Sequence, residues 1–147
     1  MSDRGGRIEH GLHVLPLRVY WEDTDAAGIV YYANYLKFTE RARTDMLRLL
    51  GINQSALLAD EGLAFAVREC VLEYLKPARL DDEIEVHSRI TELGGVRLGA
   101  DQAVKRDGLD LVRSRVRLAC IDMTGRPRRL PTSVREALAP LVPRADD

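Results

Sequence analysis

Residues 20–35 read Tyr20-Trp21-Glu22-Asp23-Thr24-Asp25-Ala26-Ala27-Gly28-Ile29-Val30-Tyr31-Tyr32-Ala33-Asn34-Tyr35. Just upstream, His13, Leu15, Leu17, Val19 and Trp21 take every second position, the spacing of a half-buried strand. Just downstream, Tyr35, Phe38, Ala42, Met46 and Leu49 recur at steps of three and four, which places them on one helix face. The spacing predicts a helix that begins within residues 30–34 and ends at Gly51, a residue suited to the position past a helix C-terminus. The quoted stretch is thus a strand-to-helix loop that carries two carboxylates and a glycine.

Beyond the helix, residues 54–61 read as one more short helical turn, and then the pattern becomes strand-like. Residues 64–74 form one run, stopped by Pro77. Residues 83–92 form a second, with Ile84, Val86, Ser88 and Ile90 alternating against charges. Gly94-Gly95 marks a turn, and Val96, Leu98, Ala100, Gln102 and Val104 make a third strand. Asp107-Gly108 is a hairpin signal, because a tight primed turn needs positive φ. Residues 111–122 make the fourth run. A closing helix of about two turns starts near Thr132 or Ser133, where Ser133 and Glu136 fit a capping box. One strand, a long helix and four antiparallel strands define an α+β domain, with a strongly curved sheet wrapped around the apolar helix face.

The bulk numbers agree with a single soluble domain. The 147 residues are 46% apolar and 31% charged, and 22 basic against 23 acidic residues leave a net charge of −1. That length suits one domain, read as residues 13–147 after a flexible lead-in over residues 1–12. Neither the charge balance nor any motif points to nucleic acid. No apolar run is long enough to span a membrane, and the polar N-terminus lacks the apolar core of a signal peptide. Cys70 and Cys120, far apart and in no metal-ligand spacing, read as reduced thiols. The expected location is the cytoplasm.

Three readings compete for the Asp23–Gly28 loop. Asp23, Asp25 and Gly28 match positions of a calcium loop, but Ala27 and Asn34 stand where further oxygen ligands are needed, so a metal site is poor. A structural reading has the carboxylates accept backbone N–H bonds at the helix entrance. A catalytic reading has a carboxylate attack a thioester carbonyl or activate water, while free N–H groups at the helix start stabilise the oxyanion. Gly28 then lets backbone approach the substrate closely.

The strings Arg18-Val19-Tyr20-Trp21-Glu22-Asp23-Thr24-Asp25, Gly28-Ile29-Val30-Tyr31-Tyr32-Ala33-Asn34-Tyr35-Leu36-Lys37-Phe38 and Glu40-Arg41-Ala42-Arg43 resemble the 4-hydroxybenzoyl-CoA thioesterase family. The match is closest to its YbgC-type, Tol-Pal-associated acyl-CoA thioesterases. The likeness continues through Val67-Arg68, Glu73-Tyr74, residues 77–82 and Leu130-Pro131, so it spans about residues 15–135. It implies a hotdog fold, with a five-stranded antiparallel sheet around a long central helix, paired into a homodimer or homotetramer with active sites at the dimer interface. It implies acyl-CoA hydrolysis with no cofactor and no metal. The catalytic aspartate falls on Asp25 and the backbone oxyanion donor on Tyr32. Asp23 becomes a support residue, and Gly28, Tyr31, Asn34 and Tyr35 shape the pocket.

Two departures qualify this resemblance. Many YbgC-type sequences carry His where this chain has Tyr32, and Tyr is no base near neutral pH, so only its backbone N–H carries over. The hydroxybenzoyl branch has a basic cluster for the CoA phosphates after the third strand. Here residues 93–97 offer only Arg97, alone or with residues of a neighbouring subunit. His10, His13 and His87 share no motif and read as structural. The cluster of Arg126, Arg128 and Arg129 reads as a solvated loop, and Arg113, Arg115 and Arg117 as one strand face. A rival reading is a non-catalytic module that binds an acyl chain or acyl-carrier protein in an envelope or lipid-synthesis complex. Against it, such a binder has no chemical need for Asp25. Acyl-carrier protein also stays open as an acyl donor. A hotdog dehydratase would need a His in the loop, and none is there.

Overall fold

The computed structural model describes residues 5–143; residues 1–4 of the expected lead-in and 144–147 of the expected domain lie outside them. In chain order the elements are β1 (Arg7–Glu9), β2 (Leu12–Arg18), α1 (Asn34–Leu49), α2 (Gln54–Glu61), β3 (Leu63–Tyr74), β4 (Glu83–Leu93), β5 (Arg97–Arg106), β6 (Leu109–Asp122) and α3 (Thr132–Leu138). All strands join one antiparallel sheet in the order β1-β2-β4-β5-β6-β3.

The sheet has six strands, where five were expected. The sixth is β1, which lies inside the expected lead-in and pairs with β2 through a turn at His10 and Gly11, both at positive φ. Three residues, two of them charged, are too few to show an alternation. β2 ends at Arg18 rather than at Trp21. There the chain leaves the sheet: Val19 exchanges backbone hydrogen bonds with Asp81 and Asp82, and residues 21–23 form a 3-10 turn. The closing helix starts after Pro131 with no side-chain cap, so the expected Ser133 capping box does not form.

α1 lies against the inner face of the sheet and buries Tyr35, Phe38, Thr39, Ala42, Met46 and Leu47. Leu49, expected on that face, is exposed, and Leu47 and Leu50 take over the inward side as the chain turns at Gly51. The core falls into two clusters. One gathers Tyr35, Phe38 and Ala42 with Leu15, Val86 and Val104 near the helix start. The other gathers Met46 and Leu47 with Ile90, Leu98 and α3. Fully burying each of these large side chains stabilises the fold by about 1.5–3 kcal/mol.

β3 closes one side of the sheet, and its outer edge pairs with no strand among the described residues. Val67 and Val71 on it are 49% and 57% exposed. No helix among the described residues is long and apolar enough to cross a membrane.

Candidate active site

The loop between β2 and α1 is held by main-chain bonds more than by side chains. Asp25 N–H donates to Ile29 O at 2.9 Å and Gly28 N–H to Asp25 O at 3.1 Å. That tight turn sets Gly28 at φ +78°, a conformation glycine adopts without steric cost. Residues 28–30 then lie against a second loop, residues 77–82. Val30 N–H donates to Ala78 O and Leu80 N–H to Gly28 O. The second loop is itself braced by Arg106, whose Nη1 donates to Asp82 Oδ2 at 2.6 Å and to Pro77 O at 3.2 Å.

Asp23 is the clamp between loop and helix. Its Oδ2 accepts from Tyr20 N–H at 2.8 Å, and its carbonyl accepts from Tyr31 N–H at 2.9 Å and Asn34 Nδ2 at 2.8 Å. Asn34 is therefore spent on holding the loop. Asp25 is different. It is exposed, its Oδ1 accepts from Ala27 N–H at 2.8 Å, and its Oδ2 has no partner among the described residues. A carboxylate fixed through one oxygen and open at the other can act as a nucleophile or a base.

The helix start supplies the complementary donor. Tyr32 N–H makes no hydrogen bond among the described residues, and no side chain caps α1. Asp25 and Tyr32 hang from the same clamp, since Asp23 and Tyr31, bonded through their backbones, stand two residues and one residue away. Tyr74, on β3, fixes Tyr32 from the far side: its hydroxyl donates to Tyr32 O at 3.2 Å and the rings meet edge to face at 6.0 Å. Tyr31 is exposed, with its ring 5.0 Å from that of Tyr32.

Two other expected pocket residues stand elsewhere. Tyr35 is buried in the core against Phe38, and its hydroxyl accepts from Ala78 N–H at 3.0 Å. Burial, first among its causes, raises its pKa. Arg97 begins β5 at the β4–β5 turn, whereas the Asp25 loop adjoins the start of β4. At about 3.3 Å per residue the length of β4 puts these ends about 30 Å apart, so within one chain Arg97 is remote. Tyr74 is the contact of Tyr32 that sequence reasoning missed; its only signal was its place in the Glu73-Tyr74 string.

The remaining candidates are engaged structurally. His13 is fully buried, with Nε2 2.7 Å from Asp45 Oδ2, and His87 lies 3.0 Å from Glu85. Arg113, Arg115 and Arg117 face Glu73, Asp101 and Glu69 on neighbouring strands. Arg128 pairs with Asp122 at 2.8 Å. Cys70 and Cys120 are free thiols.

Comparison with known proteins gives this arrangement a family. Residues 19–138 match the model of the thioesterase-like superfamily. The chain is 42% identical over 123 residues to the acyl-CoA thioesterase YbgC of Haemophilus influenzae, which covers 83% of this chain and 90% of that protein. It is 46% identical over 121 residues to the acyl-CoA thioester hydrolase YbgC of Escherichia coli, covering 81% and 90%. The crystal structure of a probable thioesterase from Bartonella henselae superposes with a TM-score of 0.78 at 38% identity, covering 82% of this chain and 99% of that one. The chain belongs to the thioesterase-like superfamily.

Proposed function

We propose that this protein is an acyl-CoA thioesterase, which hydrolyses an acyl-CoA thioester to the free acid and coenzyme A. The observation that carries the reading is the pairing of Asp25, with one carboxylate oxygen open, and the unspent Tyr32 N–H, both held by the Asp23 clamp. Asp25 attacks the thioester carbon, or takes a proton from water that attacks it. The carbonyl oxygen becomes an oxyanion and accepts from Tyr32 N–H. Collapse breaks the carbon–sulfur bond, and the thiolate leaves without strong acid assistance. In the nucleophilic route, water then cleaves the acyl–aspartate anhydride. Gly28 keeps the approach open, and Tyr31 and Tyr32 flank it. No step uses a metal or cofactor.

The relatives named acyl-CoA thioesterases support this substrate class, and no observation favours a non-catalytic binding module. The open edge of β3, with Val67 and Val71 exposed on it, supports assembly as a homodimer or homotetramer through that strand. Such an assembly also offers the route by which a second subunit's Arg97 could meet the CoA phosphates. The free thiols fit a cytoplasmic protein; acyl-carrier protein stays open as an acyl donor, and a link to the Tol-Pal system follows from the family likeness.

The test is thiol release from acyl-CoA esters by the wild type and Asp25→Asn. Asn keeps the Ala27 N–H bond and so the loop, but loses the nucleophile. kcat should fall about a thousandfold or more, about 4 kcal/mol of barrier, with an unchanged unfolding midpoint. Full activity in a folded Asp25→Asn protein sinks the mechanism.

A further inference from the structure

The Asp25 loop belongs to a small ladder of three extended segments outside the main sheet. Thr24 bridges Val30, and Ile29 bridges Arg79. Main-chain bonds set the register: Tyr31 N–H to Asp23 O, Asp25 N–H to Ile29 O, Val30 N–H to Ala78 O and Leu80 N–H to Gly28 O. Residues 23–25, 28–31 and 78–80 thus run side by side, with 28–31 in the middle. Successive side chains of an extended segment point to opposite faces, and cross-strand partners share a face. Val30 and Ala78 fall on one face, and both are buried. Asp25, Ile29 and Arg79 fall on the other, where Ile29 is half-buried and Asp25 and Arg79 are exposed. The open carboxylate and a guanidinium therefore flank Ile29 on one face, two strand spacings apart, about 10 Å between Cα atoms.

Arg79 is fixed at its backbone and free at its tip. Its N–H donates to Asp82 Oδ2 at 2.8 Å, and its carbonyl accepts from Asp82 N–H at 3.0 Å. Its guanidinium makes no hydrogen bond or ion pair among the described residues. The carboxylates that follow it are engaged: Asp82 pairs with Arg106 at 2.6 Å and Glu83 with Arg18 at 2.6 Å. Asp81, tied through its backbone to Val19 and Arg18, does not pair with Arg79. A free arginine on a surface is ordinary. What sets Arg79 apart is its fixed place on the face of Asp25, in a loop bonded to the catalytic turn.

The substrate of the proposed reaction carries a matching anion. In coenzyme A the diphosphate lies about thirteen bonds from the thioester sulfur, along a pantetheine arm that spans about 15 Å when extended at about 1.2 Å per bond. An arginine side chain reaches about 6 Å beyond its Cα on the same measure. Whichever way it turns, the guanidinium stays within about 16 Å of Asp25. A thioester in contact with Asp25 and a phosphate in contact with Arg79 fit the two ends of that arm.

We propose that Arg79 is a substrate-binding residue that takes the diphosphate of coenzyme A, in the same subunit whose Asp25 acts on the thioester. The inference rests on the thioesterase reading above. Phosphate is the fitting chemistry because the guanidinium fork matches two of its oxygens. Arg97, at the far end of β4, does not reach this face within one chain.

The experiment titrates coenzyme A, dephospho-coenzyme A and pantetheine calorimetrically into wild type, Arg79→Gln and Arg79→Lys. It also compares kcat/KM for an acyl-CoA that wild type cleaves with that for the N-acetylcysteamine thioester of the same acid, which lacks the phosphates. Arg79→Gln should bind coenzyme A and dephospho-coenzyme A about tenfold more weakly, the scale of one charge-assisted pair, and pantetheine as wild type does. Arg79→Lys should lie between. kcat/KM should fall about tenfold for the acyl-CoA, through KM, and far less for the phosphate-free thioester, and the loss should shrink as salt is raised. An Arg79→Gln protein that matches wild type on coenzyme A and acyl-CoA overturns the inference while leaving hydrolysis standing. Equal losses for coenzyme A and pantetheine assign Arg79 to the loop's structure, and a loss that dephospho-coenzyme A escapes assigns it to the 3′-phosphate; each overturns the proposal. If no thioester is cleaved but coenzyme A binds through Arg79, hydrolysis fails and the phosphate site stands. Wild type that neither binds coenzyme A nor cleaves a thioester overturns both. Where free coenzyme A binds too weakly to titrate, the contrast between the two thioesters decides. Should Arg79→Gln fail to fold, Arg79→Lys decides by the same contrasts.

Discussion

Replacing Gly28 by Ala tests how the Asp25 loop is held. A Cβ at Gly28 would meet nothing within 4 Å, so the methyl group fits without a clash. What remains is the backbone, at φ +78°. An L-residue in that region costs about 1–2 kcal/mol, and the stiffer unfolded chain of Ala returns about 0.4–1 kcal/mol. The net loss is about 1 kcal/mol, or about 3 °C in Tm for a domain of this size. Asn tolerates the left-handed region better than Ala, so Gly28→Asn should lose less. The strain enters at a residue bonded to both Asp25 O and Leu80 N–H. Activity should therefore fall by more than the stability change alone implies. Urea unfolding and kcat/KM of the three proteins read both effects. An Ala variant as stable as the wild type, or an Asn variant as damaged as Ala, would refute the argument.

Two further perturbations probe the frame. Arg106→Gln removes the brace on residues 77–82, a pair less than a third exposed on both sides; stability should fall by about 1–3 kcal/mol, and kcat/KM with it. Arg115→Gln, which breaks an exposed pair with Asp101, should change denaturant stability by less than about 0.5 kcal/mol and serves as the control. Asp122 tests acid stability. The Thr124 hydroxyl first, then the N–H groups of Arg126 and Thr124 and the Arg128 guanidinium, outweigh burial and hold its carboxyl well below the usual carboxylate range. A depressed folded-state pKa contributes stability above the unfolded value near pH 4 and loses it as pH falls toward the folded value. The Tm gap between wild type and Asp122→Asn should hold steady above about pH 5 and close toward pH 2; a gap that widens on acidification contradicts the assignment.

Much of this was legible because it was local. The run from Tyr20 to Tyr35, the three-and-four spacing from Tyr35 to Met46 and the Asp107-Gly108 turn each declare their structure within a few residues. What escaped depends on pairing between distant segments. The alternation from His13 to Trp21 continues past Arg18, but Asp81 and Asp82 draw Val19 out of the sheet. Tyr35 reads as a pocket residue beside Tyr31 and Tyr32, yet the Ala78 N–H takes its hydroxyl into the core. Nothing near Tyr74 in sequence announces that it reaches Tyr32. Ser88 and Gln102 stood in view among alternating apolar residues, and only the sheet register brings them side by side.

His13, Ser88, Gln102 and Ser114, all buried, are register partners from strand to strand, and this polar row bears on how the strands find their alignment. Alternation forbids a slip of one residue, which would turn each strand inside out. A slip of two keeps every apolar side chain facing inward, so greasiness alone does not penalise it. It would, however, part Ser88 from Gln102, whose Nε2 donates to the Ser88 hydroxyl at 2.9 Å, and leave that buried hydroxyl without its partner, at about 1–3 kcal/mol. The row acts as a vernier mark across β2, β4, β5 and β6, selecting one alignment from several that hydrophobicity would accept.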